Sequence, residues 1–192
     1  MNIKKLKNNY GEYLDGPLII YPNVYEDERG YFYESWNKIN YDNIFEREVE
    51  FVQDNQSCSK YGVFRGLHFQ LNPFPQGKLV RVISGKVFDV IVDLRSKSKT
   101  YKSWSSVYLE KKSNIQLWIP EGFAHGFLTL KDQSILSYKT TSYWKKNLER
   151  SLNPFDKEIG IVFPELKLIN SEILMSFKDK NSSSIIDLEK NG

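Results

Sequence analysis

A chain of 192 residues with a net charge of +3 can build one substantial hydrophobic core, and no shift in composition marks a second domain. The lysines are interspersed with acids, so no basic block gives the electrostatic footprint of a nucleic-acid binder. The single cysteine, Cys58, excludes an internal disulfide and suits a reducing compartment; the basic N-terminus lacks a secretory apolar stretch, and no segment reaches membrane-spanning length. The expectation is a soluble cytoplasmic protein whose residues 1–192 form one domain, with a core over about 17–165 and a tail over 166–192.

Twelve Tyr, twelve Phe and four Trp favour strands over helices. In chain order, the spacing predicts a strand over Pro17–Val24 and a second after the Gly30 turn, where Tyr31 and Tyr33 alternate with Phe32 and Glu34. Residues 37–50 are weakly helical. The next strand, 51–59, carries Gln53 and Asn55 two apart and so on one face. Phe64–Leu94 is the central stretch, with LVRVI and KVFDVIVDL read as a hairpin around Ser84-Gly85. In the second of these, Phe88, Val90 and Val92 share one face, and Asp89, Ile91 and Asp93 the other. Two short strands then flank a polar turn at Lys111–Asn114, His125 opens another strand, and SILSYKTTSYW continues the pattern. From Lys145 the periodicity loosens, and the tail is expected to hold a short helix before a mobile, Ser-rich terminus. Many short strands with short C-terminal helical elements predict an all-β fold, a sandwich or small barrel, with a jelly roll fitting the length.

Chemistry is concentrated in the central stretch. His68 lies within an alternating apolar run beside Arg65, Gln70, Gln76 and Lys78. A buried imidazole must be hydrogen-bonded, and imidazole is the side chain suited to carrying protons near neutral pH. The fragment Pro120–His125 is similar to half of the metal-binding cupin signature, but Gly66–Gln70 offers a single histidine where the other half needs two. With two histidines and no thiolate cluster there are too few soft ligands for a transition-metal centre, so no metal is expected. Cys58 has no electropositive neighbour in sequence, and neither a GxSxG elbow nor a glycine-rich phosphate loop occurs. Acid–base chemistry beside a carbonyl remains: His68 as base, Lys78 as the cation for an oxyanion, and a tyrosine as donor on the opposite face.

Five segments together carry a resemblance: Arg65–Gln70, Gln76–Val82, Gly85 through Asp93-Leu94-Arg95, Leu117–Phe127 and Tyr138–Thr141. They resemble the dTDP-4-dehydrorhamnose 3,5-epimerases, in order, over about 17–165. The resemblance implies a cupin jelly roll working without metal or cofactor on a dTDP-4-keto-6-deoxy sugar. It implies His68 as catalytic base, Asp156 as the acid paired with it, Lys78 near the sugar's C4 oxygen and Tyr138 as the proton donor from the far face. It further implies nucleotide and sugar contacts from Gln53, Asn55, Arg65, His125 and Glu149. Arg29, Phe32 and Glu34 are implied to come from the neighbouring subunit of a homodimer with an exchanged N-terminal strand. The sequence departs from the family where Trp144 replaces a tyrosine associated with the nucleotide base, and where Asn153-Pro154-Phe155-Asp156 replaces a Trp-Asn-Asp-Pro run. A single-carbon epimerase, a ketoisomerase on the same scaffold, or a non-catalytic nucleotide-sugar-binding cupin are the alternatives.

Overall fold

Strand period dominates the structure, a computed structural model that describes residues 1–167 and 173–190. Along the chain run β1 (Asn2–Lys7), β2 (Tyr13–Tyr21), β3 (Tyr25–Asp27), β4 (Gly30–Phe32), α1 (Lys38–Phe45), β5 (Gln53–Ser59), β6 (Phe64–Gln70), β7 (Lys78–Ser84) and β8 (Lys86–Asp93). Then follow β9 (Trp104–Glu110), β10 (Gln116–Ile119), β11 (Phe123–Thr129), β12 (Ser134–Thr140), β13 (Glu149–Ser151), α2 (Phe177–Lys180) and α3 (Ile185–Lys190). A six-stranded antiparallel sheet, in the order β1-β2-β10-β7-β12-β5, faces a five-stranded one in the order β13-β6-β11-β8-β9. The architecture is the expected all-β sandwich.

Three apolar layers hold it together. Val80, Val82, Leu117 and Leu136 of the larger sheet meet Val87, Ile91, Phe123 and Phe127 of the smaller one between the sheets. Outside the smaller sheet, Phe88, Val90, Val92 and Leu128 pack under Leu152, Ile159, Phe163 and Ile185 of the C-terminal segment. Outside the larger sheet, α1 lays Tyr41 over Ile20 and Trp118. Strand β8 is therefore covered on both faces, which explains its nearly unbroken apolar character; each such buried side chain contributes about 1.5–3 kcal/mol.

Two expectations are corrected. Ser84-Gly85 does not close a hairpin: β7 pairs with β10 and β12, while β8 pairs with β11 and β9, so this turn carries the chain from one sheet to the other. Gly85 has φ +85°, and a Cβ there would lie 2.1 Å from Ser134 Oγ, so only glycine fits the crossing. The described part of the tail is also not loose. Leu174 bridges Val63 at the start of β6, and Ser183 bridges Leu152 beyond β13, so the C-terminal segment is stitched to the edge of the smaller sheet. Residues 168–172, 191 and 192 of the expected tail lie outside the described residues.

Candidate active site

The site lies between the sheets, at the end where β6 and β7 come together. Its first determinant is a backbone irregularity. In a regular strand Arg65 and His68, three apart, would face opposite ways. The β6–β11 register slips between His125 and Phe127, which sit opposite His68 and Arg65 respectively. Gly66, at φ +122°, absorbs the extra residue, and a Cβ on it would lie 2.6 Å from Gly126 Cα and 2.7 Å from the His125 carbonyl. Phe64 and Leu67 consequently both enter the outer apolar layer, while Arg65 and His68 both turn into the site.

Two adjoining cavities of about 320 and 310 Å³ share His68, Lys78, Tyr138 and Glu149 as common walls. The first opens past Gln53, Asn55 and Trp144, and the second past Arg65, His125 and Lys178. His68 comes from the smaller sheet and Tyr138 from the larger, so imidazole and phenol stand on opposing walls. Lys78 enters at the start of β7, 6% exposed, and its Nζ donates to the His68 carbonyl at 3.2 Å.

The His68 ring is oriented by a residue that sequence reasoning missed. Its Nε2 lies 2.6 Å from Oδ1 of Asp179, on α2. Burial alone would raise the Asp179 carboxyl, but the His68 bond and charge, Ser176 and the backbone N–H of Gly66 together hold it below its ordinary value. Asp156, expected to pair with His68, is instead a structural clamp. Its Oδ1 accepts from the backbone N–H of Glu158 and Ile159 at 2.9 and 3.2 Å, and its Oδ2 from that of Ile185 at 2.8 Å. It thus anchors α3, next along the chain from α2. A signal for Asp179 was present in Ser176-Phe177-Lys178-Asp179, whose spacing marks a helix start: Ser176 Oγ accepts from the Asp179 N–H at 3.1 Å.

Burial pushes the Lys78 ammonium down to about 8, opposed by the fields of Asp89 and Glu149. It pushes the Tyr138 phenol up, leaving it protonated at working pH. For Glu149, burial is outweighed by an ion pair with Lys178, so its carboxyl sits below its ordinary value. His125 is buried against Asp89, and burial lowers its proton affinity. Arg65 is braced by Ser59, whose Oγ accepts from Nε at 3.0 Å. Trp144 stands at the rim, half exposed, with its backbone N–H donated to Gln53 Oε1 at 3.0 Å; Gln53 in turn donates to Asn55 at 2.8 Å.

Arg29, Phe32 and Glu34 stand apart from these cavities. Arg29 pairs with Asp27 on the exposed β3–β4 hairpin, Phe32 is 67% exposed, and Glu34 accepts from the side chains of Asn37 and Asn40 beside α1. Among the described residues, no group of three or more His, Cys, Asp or Glu side chains could hold a metal ion. The arrangement suits proton transfer across a carbon flanked by a ketone: a carboxylate-oriented imidazole on one wall, a neutral phenol on the other, and a buried cation beside them.

Comparison with known proteins gives concordant matches. The family model described as dTDP-4-dehydrorhamnose 3,5-epimerase matches residues 12–187. The chain is 47% identical to the dTDP-4-dehydrorhamnose 3,5-epimerase of Shigella flexneri, over 90% of this chain and 92% of that one. It is 49% identical to the enzyme of the same name from Methanothermobacter thermautotrophicus, over 88% and 89%. The structure superposes with a TM-score of 0.87 on dTDP-6-deoxy-D-glucose-3,5-epimerase from Legionella pneumophila, solved in complex with dTDP-4-keto-L-rhamnose, at 38% identity and covering 98% of this chain and 96% of that one.

Proposed function

We infer the reaction from one premise: the chain belongs to the dTDP-4-dehydrorhamnose 3,5-epimerase family. It inverts C3 and C5 of dTDP-4-dehydro-6-deoxy-D-glucose to give dTDP-4-dehydro-L-rhamnose. The C4 ketone acidifies the hydrogens on both neighbouring carbons, so each inversion is a proton removed from one face and returned to the other. His68 removes the proton. Asp179 fixes the ring and stabilises the imidazolium that forms, and its position against His68 makes it, rather than Asp156, the partner we assign. Lys78, as ammonium, meets the charge developing on the C4 oxygen. Tyr138, kept neutral by burial, delivers a proton from the opposite wall.

Binding divides between the two cavities. Arg65 and Lys178 supply cations for the diphosphate, with Glu149 holding Lys178 in place and His125 adding a polar contact. Trp144 offers a ring at the rim on which the base can stack, with Gln53 and Asn55 beneath it. The β3–β4 hairpin, with Tyr25, Tyr31 and Phe32 all exposed around Arg29, has the character of an arm that packs on a second copy. We assign it to a homodimer in which Arg29, Phe32 and Glu34 complete the neighbour's site. Among the described residues no helix is long and apolar enough to cross a membrane; that the enzyme is cytoplasmic and works as one domain is part of our proposal and rests on the family resemblance.

The single observation that carries this reading is the facing of the His68–Asp179 pair and Tyr138 across one cavity, with Lys78 between the sheets. Incubation with the dTDP-4-keto sugar in heavy water tests it. Deuterium at both C3 and C5 of the product is expected. Label at only one carbon makes the chain a single-carbon epimerase, and binding of dTDP without any exchange makes it a silent binder.

A further inference from the structure

Gln70 is a polar side chain that the reaction above leaves unused. It follows His68 by two residues on β6, so the two leave the strand on the same side. It is 5% exposed and walls neither cavity, which sets it apart from the substrate contacts. Its carboxamide nevertheless meets three backbone groups. Nε2 donates to the carbonyls of Phe74 and Tyr143, the second at 3.1 Å, and Oε1 accepts from the Lys145 N–H at 2.7 Å. Two carbonyls and one N–H call for a carboxamide; a carboxylate or a hydrocarbon of that length would leave the carbonyls unmet.

Tyr143 and Lys145 belong to residues 142–145, which lie between β12 and β13 and outside any strand. The rest of that segment is held in the same manner. The Ser142 carbonyl accepts from Gln76 Nε2 at 2.8 Å, and the Trp144 backbone N–H is donated to Gln53 Oε1 at 3.0 Å. Gln53 comes from β5 in the larger sheet and Gln70 from β6 in the smaller, so the segment hangs between the two sheets on glutamine side chains. What it carries is Trp144, 51% exposed at the mouth of the first cavity. A wall outside the sheets that was free to move would have to be frozen when a base docked on it, and that loss of freedom would weaken binding. We propose that Gln70 is a positioning residue for the nucleotide end of the site: without touching the substrate, its carboxamide fixes segment 142–145 so that the Trp144 ring is in place before the base arrives. The inference rests on the reading of Trp144 as the ring on which the base stacks.

Gln70→Met tests this, because it keeps the length of the side chain and removes all three bonds. Calorimetry with dTDP and with inorganic pyrophosphate separates the rim from the second cavity, where Arg65 and Lys178 stand. In Gln70→Met, dTDP should bind about tenfold more weakly, with pyrophosphate within about twofold of wild type. KM for the dTDP-4-keto sugar should rise by about the same tenfold factor, with kcat within about threefold. Trp144→Ala should lose a similar factor for dTDP. The double variant should be no more than about threefold weaker than Trp144→Ala alone, because a clamp has no effect once the ring it aims is gone. Equal weakening of both ligands, an unmoved dTDP affinity, or losses that multiply in the double variant each overturn the proposal. Should Gln70→Met not fold, backbone hydrogen exchange of the unaltered, ligand-free protein decides. The N–H groups of Trp144 and Lys145 should be as protected as those of β12, and exchange as fast as in an open loop overturns the proposal. A Trp144→Ala protein that binds dTDP as well as wild type removes the stacking reading itself; a weakened Trp144→Ala beside an unaffected Gln70→Met removes only the role of Gln70.

Discussion

Two histidine–carboxylate pairs meet in this site, one half open and one closed. In the first, the side chains of His68 and Asp179 are 30% and 5% exposed, and they are bonded at 2.6 Å. In the second, His125 and Asp89 are 7% and 0% exposed, at 3.0 Å. The residues stand opposite each other in the strand register, His125 against His68, so local sequence context alone does not separate their roles. Access does. A ring that can be reached from the cavity and is held in place by a carboxylate is positioned to pick up a proton and release it. The His125 ring also borders a cavity, but it is almost wholly buried against Asp89, and burial lowers its proton affinity. The same two residue types therefore stand in different surroundings, and on the proposed reading only the more open pair carries a proton.

Replacing each histidine in turn is the most direct way to break this contrast. His68→Ala should abolish solvent exchange at both carbons, a loss of at least about 10³-fold in rate, read by NMR in heavy water. His125→Asn should retain exchange and show its main effect in KM. Equal loss of exchange in both variants would mean that the two pairs are not distinguished by access. The partner comes next in size. Asp179→Asn leaves His68 in place without a charged orienter, and a fall in kcat of roughly 10²-fold is expected, with KM little changed. The pH profile sharpens the comparison further. Because the Lys78 ammonium is held down to about 8, kcat should decline above that pH, tenfold per unit, as the cation is lost. Smallest is Asp156→Asn, which weakens a clamp on the backbone of Glu158, Ile159 and Ile185. It should destabilise the fold by about 1–3 kcal/mol and lower Tm by several degrees, while kcat of the folded enzyme stays within about twofold. A collapse of kcat in Asp156→Asn with unchanged Tm would restore that residue to the chemistry.

The sheet architecture was legible because alternation is a local property. Val80 and Val82, or Phe88, Val90 and Val92, announce their shared faces within a few residues. The pairing partners were not legible at Ser84-Gly85, because a glycine turn between two strands reads alike whether the strands pair or part into different sheets. In the site, His68, Lys78 and Tyr138 were found from chemistry and resemblance, and they do line one cavity. The carboxylate bonded to His68 was not foreseen, because Asp179 reaches it from 111 residues away, through a segment whose serines suggested mobility. Those serines are used as caps: Ser176 binds the Asp179 N–H, Ser182 donates to the Asp179 carbonyl, and Ser184 binds Asp187. Polar composition argues for disorder only where the polar groups lack partners, and partners contributed by a distant strand leave no trace in a local window.

Stitching the C-terminal segment to the rim of the smaller sheet makes the candidate site draw on two separate parts of the chain. The two cavities are walled mainly by strands, whereas the Asp179 carboxylate bonded to His68 arrives on a strap fastened by backbone bonds at Leu174 and Ser183. On the proposed reading, peeling that strap away should leave a receptor with most of its walls and no aimed base, separating occupancy from turnover in one polypeptide.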